Sequence, residues 1–334
     1  MRYVTFKNLK PGMVLGRNLI GDNGAMLAKA GVAVSDAIIR RVSDMGLQGL
    51  YIEDPLFCDI VVEDIVPEKL RSMGIEALKK GDYNSCVNIA KSLALEVKSR
   101  SSYSIDLIDL KSYKNYEYYH SLSVCVYSIC MGYAMKMRDE QIDNLAVAGI
   151  LHDIGKFDVK RRVLNSKALY NEKQMDEMMK HPMYSYEELK DNPYVTSVSR
   201  NSILFHHENI DGSGYYNISG EKLGIFPKIL RVVDTYDALT ATRRHRAAFS
   251  PADAFRNIVG DAGKIFDYEV VKTFVSTFPM YPKGITVKLA DGTMGVVTGQ
   301  TEDEERPIIR TFDRDTINLL NDSVYKTIKI EDIV

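Results

Sequence analysis

The stretch Leu151-His152-Asp153-Ile154-Gly155-Lys156 follows an apolar run, residues 145–150, that is typical of the buried end of a helix. We predict that His152 and Asp153 emerge from the core where this helix stops. An imidazole nitrogen beside a carboxylate oxygen suits zinc, iron or manganese, and the carboxylate can bridge two ions. A His-Asp pair is also a common surface hydrogen bond, so the other histidines decide between the two interpretations.

The composition excludes several classes of protein. A chain of 334 residues is long enough for two or three domains with a large core. Its net charge of -2 gives no electrostatic argument for a nucleic-acid polymer or an anionic membrane as partner. No apolar run is long enough to span a bilayer, and residues 1–6 do not resemble a signal peptide. The sequence therefore predicts a cytoplasmic protein, and its four cysteines are expected to be buried thiols.

The six histidines all lie between residues 120 and 245. His120 falls early in a helix predicted to end near residue 137, where a lone histidine is more often a core residue than a ligand. His181 precedes Pro182 at a predicted helix start, where it is either a capping residue or an orientable ligand. This uneven distribution favours a site built from several histidines.

His206 and His207 end a helix predicted over residues 194–205. Adjacent residues point in different directions from a regular helix, so both can reach one metal only if the helix stops there. The glycine-rich loop over residues 209–216 supports that end. By itself such a loop is a weak signal.

A helix predicted over residues 227–240 carries Asp234 among apolar neighbours. A carboxylate on a buried face needs a partner, which a metal would supply. Asp237 is expected to be a hydrogen-bond partner or cap and not a ligand. Arg243 and Arg246 lie just beyond, in a cationic cluster that is either a phosphate site or a solvated face.

The rest of the chain is predicted to form smaller units. Residues 1–64 indicate a small α+β domain, with one helix between Ser35 and Gly46, that acts in docking or regulation. Residues 65–103 form a helical linker that either connects the flanking domains or pairs between subunits in a homodimer. Residues 284–334 predict a β-rich appendage without catalytic residues. The predicted strands are residues 13–20, 25–27 and 50–52, then 285–289, 294–297, 307–312 and 327–330, with hairpin turns at 21–24 and 291–292.

The order of these motifs resembles the HD superfamily of metal-dependent phosphohydrolases. The matching residues are His120, His152, Asp153, His181, His206, His207 and Asp234. Together with Lys156 and the loop Asp211-Gly212-Ser213-Gly214-Tyr215, they resemble the HD-GYP branch, whose members hydrolyse cyclic dinucleotides, typically cyclic di-GMP. The resemblance covers residues 104–283. It implies an HD-type helical bundle as the catalytic domain of a mainly α protein.

The resemblance implies two divalent metal ions per chain, most often iron or manganese in this family. His120, His152, Asp153 and Asp234 would hold one ion, and Asp153 would bridge to a second ion held by His181, His206 and His207. A hydroxide between the ions would attack phosphorus in line. Among the substrate residues, Lys156 would hold the scissile phosphate, Arg243 and Arg246 the other phosphate or the bases, and Tyr215 would contact the ligand from a loop shaped by Gly212 and Gly214. Tyr215 has packing of the loop as its alternative role, and Glu208 and Asp211 are expected to shape the loop.

Two positions depart from the family pattern. Tyr216 replaces the proline of Gly-Tyr-Pro, which frees φ and is expected to loosen the loop. Tyr116 stands where some members place a glutamate for a third metal, and Glu117, one residue on, is expected to face elsewhere. The sequence therefore predicts two metals and not three.

The predicted function is a cyclic di-GMP phosphodiesterase that forms linear pGpG and continues slowly to GMP. One alternative is a catalytically weak cyclic di-GMP receptor, although a receptor has no need of seven metal ligands. A second is an HD phosphohydrolase acting on another cyclic dinucleotide or nucleotide, which the change at Tyr216 keeps open. A third is a scaffold whose N-terminal domain binds a signalling partner.

Overall fold

The computed structural model describes residues 1–21, 25–62, 65–99, 116–164, 166, 169–241 and 248–334. Within these ranges the chain is mainly helical with small strand-containing units at both ends, which confirms the predicted fold class. No helix in the described ranges combines the length and apolar character that a bilayer span requires. The centre of the hairpin turn predicted at 21–24 lies outside them.

The N-terminal unit combines two small sheets with one helix. Its elements are β1 (Arg2–Thr5), β2 (Val14–Leu15), β3 (Leu19–Ile20), β4 (Met26–Ala28), α1 (Asp36–Met45) and β5 (Gly49–Glu53). One antiparallel sheet has the order β1-β5-β2, and β3 pairs with β4. Ser35 accepts a hydrogen bond from the Ile38 N–H at the start of α1, and Gly46 ends the helix with φ of 68°, as predicted.

One strand prediction in this unit was wrong, and one strand was not predicted. The strand predicted over residues 13–20 is divided, because Leu15 pairs with Ile52 in one sheet whereas Leu19 pairs with Ala28 in the other. Strand β1, which no local pattern predicted, pairs antiparallel with β5 through Tyr3 and Tyr51. Pairing between distant segments decides both points, and local pattern does not report it.

Two helices follow, α2 (Glu68–Lys80) and α3 (Tyr83–Lys98). Gly81 separates them with φ of 66°, a left-handed conformation that glycine adopts without steric cost. Asp82 then caps α3 by accepting from the Ser85 N–H at 3.1 Å. The predicted break is confirmed. Of the four cysteines, three are buried as predicted, but Cys58 is exposed beyond the short turn 55–57.

Within the described residues the histidine-bearing part is mostly helical. Its helices are α4 (Tyr116–Ala134), α5 (Asp139–Leu151), α6 (Arg161–Leu164), α7 (Glu172–Met178), α8 (His181–Leu189), α9 (Ser197–Leu204), α10 (Ile225–Thr240), α11 (Pro251–Gly260) and α12 (Tyr268–Thr277). A 3₁₀ turn (Ile154–Phe157) connects α5 to the segment before α6. Helix α4 ends before residue 137 because Lys136 is left-handed, with φ of 55°. Helix α9 starts later than predicted, after the cap Thr196.

Helix α4 is the centre of the core, and it packs against α2, α3, α5, α10 and α12. Its residues 119–132 are all buried, which explains why its sequence shows little amphipathic pattern. Gly149 of α5 lies against the Cys125 backbone, where an added Cβ would be 2.8 Å from the Cys125 Cα. This close approach fixes the end of α5 next to the middle of α4.

The C-terminal unit is a five-stranded antiparallel sheet. Its strands are β6 (Thr286–Leu289), β7 (Met294–Gly299), β8 (Ile308–Thr311), β9 (Thr316–Asn318) and β10 (Ile330–Ile333), in the order β10-β6-β7-β8-β9. Gly292 makes the predicted hairpin turn with φ of 91°. Strand β9 was not predicted, and the last strand was predicted too early, at 327–330, because pairing with β6 fixes the position of β10. Val287, Val297 and Ile309 join the same hydrophobic core as the helices, and the domain boundaries after residues 64, 103 and 283 stay predictions.

Candidate metal centre

His152 and Asp153 follow directly after the last residue of α5. Because α5 is buried along most of its length, both side chains stay in the core, with exposed fractions of 0% and 3%. The expectation that they emerge from the core was therefore wrong. Helix α9 packs against α5, and α8 packs against α9 and against the 3₁₀ turn that directly follows Asp153.

The structure brings together all seven residues predicted as metal ligands. They form two groups that could each hold a metal ion, with ligand atoms within 4.8 Å of one another: His120, His152 and Asp234, and then Asp153, His181, His206 and His207. These residues come from α4, α8, α10 and the segments that follow α5 and α9. All of them except His207 are buried.

Asp153 lies between the two groups. Its Oδ2 is 3.2 Å from His152 Nε2 and 3.4 Å from His120 Nε2. Its Oδ1 is 3.2 Å from His181 Nε2 and 3.8 Å from His206 Nε2. One carboxylate thus presents a different oxygen to each group, which is the geometry that a bridging ligand requires.

Backbone carbonyls orient three of the imidazoles. The Nδ1 atoms of His152, His181 and His206 lie 2.8, 2.7 and 2.6 Å from the carbonyl oxygen of the residue three positions earlier. A carbonyl only accepts, so each Nδ1 carries the proton and donates. The Nε2 lone pair of each ring is then directed into the cluster, as metal-binding histidines require.

A carboxylate orients the fourth imidazole. His120 Nδ1 lies 2.7 Å from Asp237 Oδ2, while its Nε2 lies 3.0 Å from Asp234 Oδ1. The two aspartates are three residues apart on α10 and therefore share one helix face. Asp237 is a hydrogen-bond partner of a predicted ligand, as expected from the sequence. Tyr116 stacks on the same ring with centroids 5.3 Å apart.

The two carboxylates of the cluster are ionised. Burial raises the pKa of Asp153, but the neighbouring His152 and Lys156 side chains outweigh burial and hold the pKa well below the usual value. Burial also raises the pKa of Asp234, and the hydrogen bond from His120 reverses that effect. Both carboxylates are therefore anionic at neutral pH and available as ligands.

Two imidazoles of the second group, His206 and His207, are also in the neutral form that can bind a metal cation. Desolvation lowers the pKa of the buried His206 and of the largely buried His207 well below the ordinary value, so both rings are neutral at pH 7 and keep a lone pair. Asp153 Oδ1 is buried and has no hydrogen-bond partner among the described residues. An ionised oxygen buried in that state is costly without a cation. The residues present therefore fit a divalent metal.

Lys156 and Glu117 lie at the edge of this centre. Lys156 Nζ donates a short hydrogen bond to Asp153 Oδ2 and is 3.8 Å from Glu117 Oε2. The expectation that Glu117 faces elsewhere was wrong, because residues three apart on a helix, here Glu117 and His120, share a face. Glu117 belongs to neither group of potential metal ligands in the described ranges.

The glycine-rich loop packs onto the centre through Tyr215. Its ring lies 4.5 Å from the His207 ring, at 33°, and 6.2 Å from the His181 ring. Gly212 is left-handed, with φ of 79°. An added Cβ at Gly214 would lie 2.4 Å from the Glu208 Cα. The loop can follow this path only with glycine at residue 214.

The residue that replaces the family proline adds a hydrogen bond to the loop. Glu208 Oε1 accepts from the Tyr216 N–H at 2.7 Å, and its Oε2 accepts from the Ile218 N–H at 2.7 Å. Proline has no N–H and could not make the first bond. The Tyr216 ring also packs edge-on against Phe205, with centroids 6.0 Å apart. The expected loosening of the loop is therefore wrong for this chain.

Restoring the proline is expected to weaken the loop. Tyr216→Pro should lower the free energy of unfolding by about 1–3 kcal/mol, because a hydrogen bond to a buried carboxylate is lost. Urea unfolding measures this difference. Tyr216→Phe is the matched control, since it keeps the N–H donor and the ring. Equal or greater stability of the proline variant would contradict the role given to this bond.

Arg231 was missed as a residue of this site. Its Nε donates to Asn209 Oδ1 at 2.9 Å and its Nη1 to Thr235 Oγ1 at 2.7 Å, so it connects α10 to the loop. Asn209 in turn donates to Ser213 Oγ at 3.0 Å. The signal in the sequence was an arginine one helical turn before Asp234 on an otherwise apolar stretch. Arg243 and Arg246 lie outside the described residues, so their predicted contacts stay predictions.

A comparison with family models places most of this centre in one known domain. A model described as HD domain matches residues 97–270, just over half of the chain. Among solved structures, Bd1817, a HDG"Y"P protein from Bdellovibrio bacteriovorus, matches with a TM-score of 0.54 and 14% identity. The match covers 82% of this chain and 98% of that one, and at this identity it shows a similar fold alone.

Curated relatives are similar over the same part of the chain. One is "Cyclic di-GMP phosphodiesterase PA4108" of Pseudomonas aeruginosa, 32% identical over 197 residues, which are 59% of this chain and 47% of the relative. Another is "3'3'-cGAMP-specific phosphodiesterase 3" of Vibrio cholerae, 31% identical over 144 residues, 42% of this chain and 30% of the relative. The matched part of this chain thus spans about half the length of the first relative and less than a third of the second.

Proposed function

Because this chain belongs to the HD domain family, we propose that it is a metal-dependent phosphodiesterase that hydrolyses cyclic di-GMP. The observation that supports this most is Asp153, whose two oxygens face two separate groups of metal-binding side chains. Its relatives include a protein named as a cyclic di-GMP phosphodiesterase. The resemblance predicted from the motifs is confirmed, and the substrate is our proposal.

We propose two divalent ions per chain, iron or manganese. His120, His152, Asp153 and Asp234 would hold one ion, and Asp153, His181, His206 and His207 would hold the other. When bound, the ions would supply activation of water near neutral pH and neutralise charge on the reacting phosphate. Imidazole and carboxylate ligands suit both metals and do not choose between them.

The substrate residues proposed around this centre follow from charge and position. Lys156 is mostly buried and borders Asp153, so its ammonium group would hold the scissile phosphate beside the ligands. Tyr215 would contact the ligand from the loop that Gly212 and Gly214 shape, where it packs on two histidine rings. Arg243 and Arg246 would bind the second phosphate or the bases.

The proposed product is linear pGpG, which is converted slowly to GMP. Opening the ring adds the oxygen of water to phosphorus and breaks the bond from that phosphorus to the ribose 3′ oxygen. The 3′ oxygen leaves as a hydroxyl after taking up a proton, and the 5′-phosphate stays on the product. Asp237 holds the proton of His120 Nδ1, so it would fix that ring and not act on the substrate.

The test is anaerobic incubation of the purified, metal-analysed protein with cyclic di-GMP, followed by chromatography against a pGpG standard. We expect pGpG as the first product and about two metal ions per chain. Parallel incubation with 3′3′-cGAMP tests the second candidate substrate, which the similarity to a cGAMP-specific relative favours. Turnover of 3′3′-cGAMP but not of cyclic di-GMP would identify cGAMP as the substrate. Tight binding of cyclic di-GMP without products would indicate a receptor.

We also propose that the chain has two kinds of protein partner. The N-terminal α+β unit would bind a signalling partner. Helices α2 and α3 would pair in a homodimer, since Met73 and Leu95 on them are 46% and 69% exposed. If the protein sediments as a monomer at high concentration, the homodimer is ruled out.

A further inference from the structure

An exposed aromatic side chain adjoins the candidate centre. Phe157 directly follows Lys156 and is 44% exposed, although it is large and apolar. Its ring stacks on Tyr118, with centroids 5.3 Å apart and an angle of 21° between the planes. Tyr118 in turn directly follows Glu117, whose carboxylate faces Lys156. Glu117 and Tyr118 of α4 therefore face Lys156 and Phe157 of the 3₁₀ turn, respectively.

The turn that carries Phe157 is held firmly in place. The Gly155 N–H donates to Ser185 Oγ at 2.8 Å, and the Asp158 N–H donates to the Gly155 carbonyl at 3.1 Å. Tyr118 packs against the main core, and Lys79 Nζ lies 5.6 Å from its ring centroid. Phe157 thus presents aromatic surface to solvent on a rigid support, with a cation nearby.

Resting on the proposed function, we propose that Phe157, backed by Tyr118, is the stacking platform for a purine base of the cyclic dinucleotide. Lys156 and Phe157 are adjacent, with Cα atoms about 3.8 Å apart, so their side chains start from neighbouring points and one nucleotide can reach both. Aromatic side chains stack on bases through their π faces, and an offset arrangement is preferred. The platform would orient one guanosine while Lys156 holds its phosphate.

The chain offers a clean optical test, because it contains no tryptophan. Phe157→Trp places one indole at the platform, and a stacked guanine quenches its fluorescence. We would mix this variant, metal-loaded, with cyclic di-GMP in a stopped-flow instrument and follow fluorescence before turnover. Tyr194→Trp is the matched control, since Tyr194 is 61% exposed and lies two residues before Thr196, whose hydroxyl bonds Asn144, a residue about 12 Å along α5 from His152.

Steady-state kinetics of a second pair of variants separates stacking from simple packing. Phe157→Leu keeps an apolar side chain without a π face and should raise KM for cyclic di-GMP about 5- to 100-fold, with kcat retained. Phe157→Tyr should restore the KM of the unmodified protein. A structural role alone would predict similar KM values for the leucine and tyrosine variants.

The outcomes distinguish this proposal from the function on which it rests. Saturable quenching of Phe157→Trp, with Tyr194→Trp unchanged, supports the platform. Turnover of cyclic di-GMP without quenching, or with an unchanged KM in Phe157→Leu, overturns the platform and leaves the phosphodiesterase. Quenching without turnover keeps the platform and overturns the phosphodiesterase, and the absence of both overturns both.

Discussion

Asp153→Asn is expected to lower turnover of cyclic di-GMP roughly 10³-fold or more. The substitution keeps the size of the side chain but removes the charge that faces both groups of histidines. Bound metal contributes several kcal/mol to stabilisation of the transition state, and each 1.36 kcal/mol corresponds to a factor of ten in rate. The amide of asparagine has only one oxygen, so its NH₂ group would face either His152 or His181. That NH₂ group cannot bind a metal ion, and the remaining amide oxygen is a weaker ligand than a carboxylate oxygen.

Metal content provides a measurement that does not depend on the substrate. Elemental analysis should find about two ions per chain in the unmodified protein and fewer than one in Asp153→Asn. Added manganese should raise the melting temperature of the unmodified protein but not that of Asp153→Asn, because a ligand that binds the folded state stabilises it. Asp176→Asn, an exposed aspartate on α7, is the control and should keep both properties. Full metal content and full turnover in Asp153→Asn would refute the bridging role.

Gly155→Ala is expected to lower the free energy of unfolding by about 3 kcal/mol or more. An added Cβ would lie 2.2 Å from the His181 carbonyl oxygen and 2.5 Å from the Ser185 nitrogen. Both are backbone atoms, so no side chain can rotate away, and overpacking of this kind typically costs 1–3 kcal/mol or more. The 3₁₀ turn would have to move away from α8, which would separate Asp153 from His181.

Urea unfolding monitored by circular dichroism measures this loss. Gly260→Ala is the matched control, because Gly260 lies in α11 and nothing is within 4 Å of its added Cβ. The free energy of unfolding of Gly260→Ala should be unchanged or slightly higher, since alanine is a better helix former than glycine. If Gly155→Ala unfolded at the same urea concentration as Gly260→Ala, the close packing of the turn on α8 would be ruled out.

The sequence by itself determined much of this protein. The order of histidine and aspartate motifs resembles the HD family's ligand series, and that resemblance implied the seven potential metal ligands. Local signals also fixed several element ends. Ser35, Gly46 and Gly81 act through their own caps or φ values, so neighbouring residues are enough to identify them.

The tertiary structure alone decided how these residues meet. The burial of His152 and Asp153, the division of the strand at 13–20, and the direction of Glu117 depend on which distant segments pack there. The effect of Tyr216 is similar, because its N–H finds the carboxylate of Glu208 only in the folded loop. A one-dimensional pattern reports period and residue type, whereas contacts between distant segments form only when the chain folds.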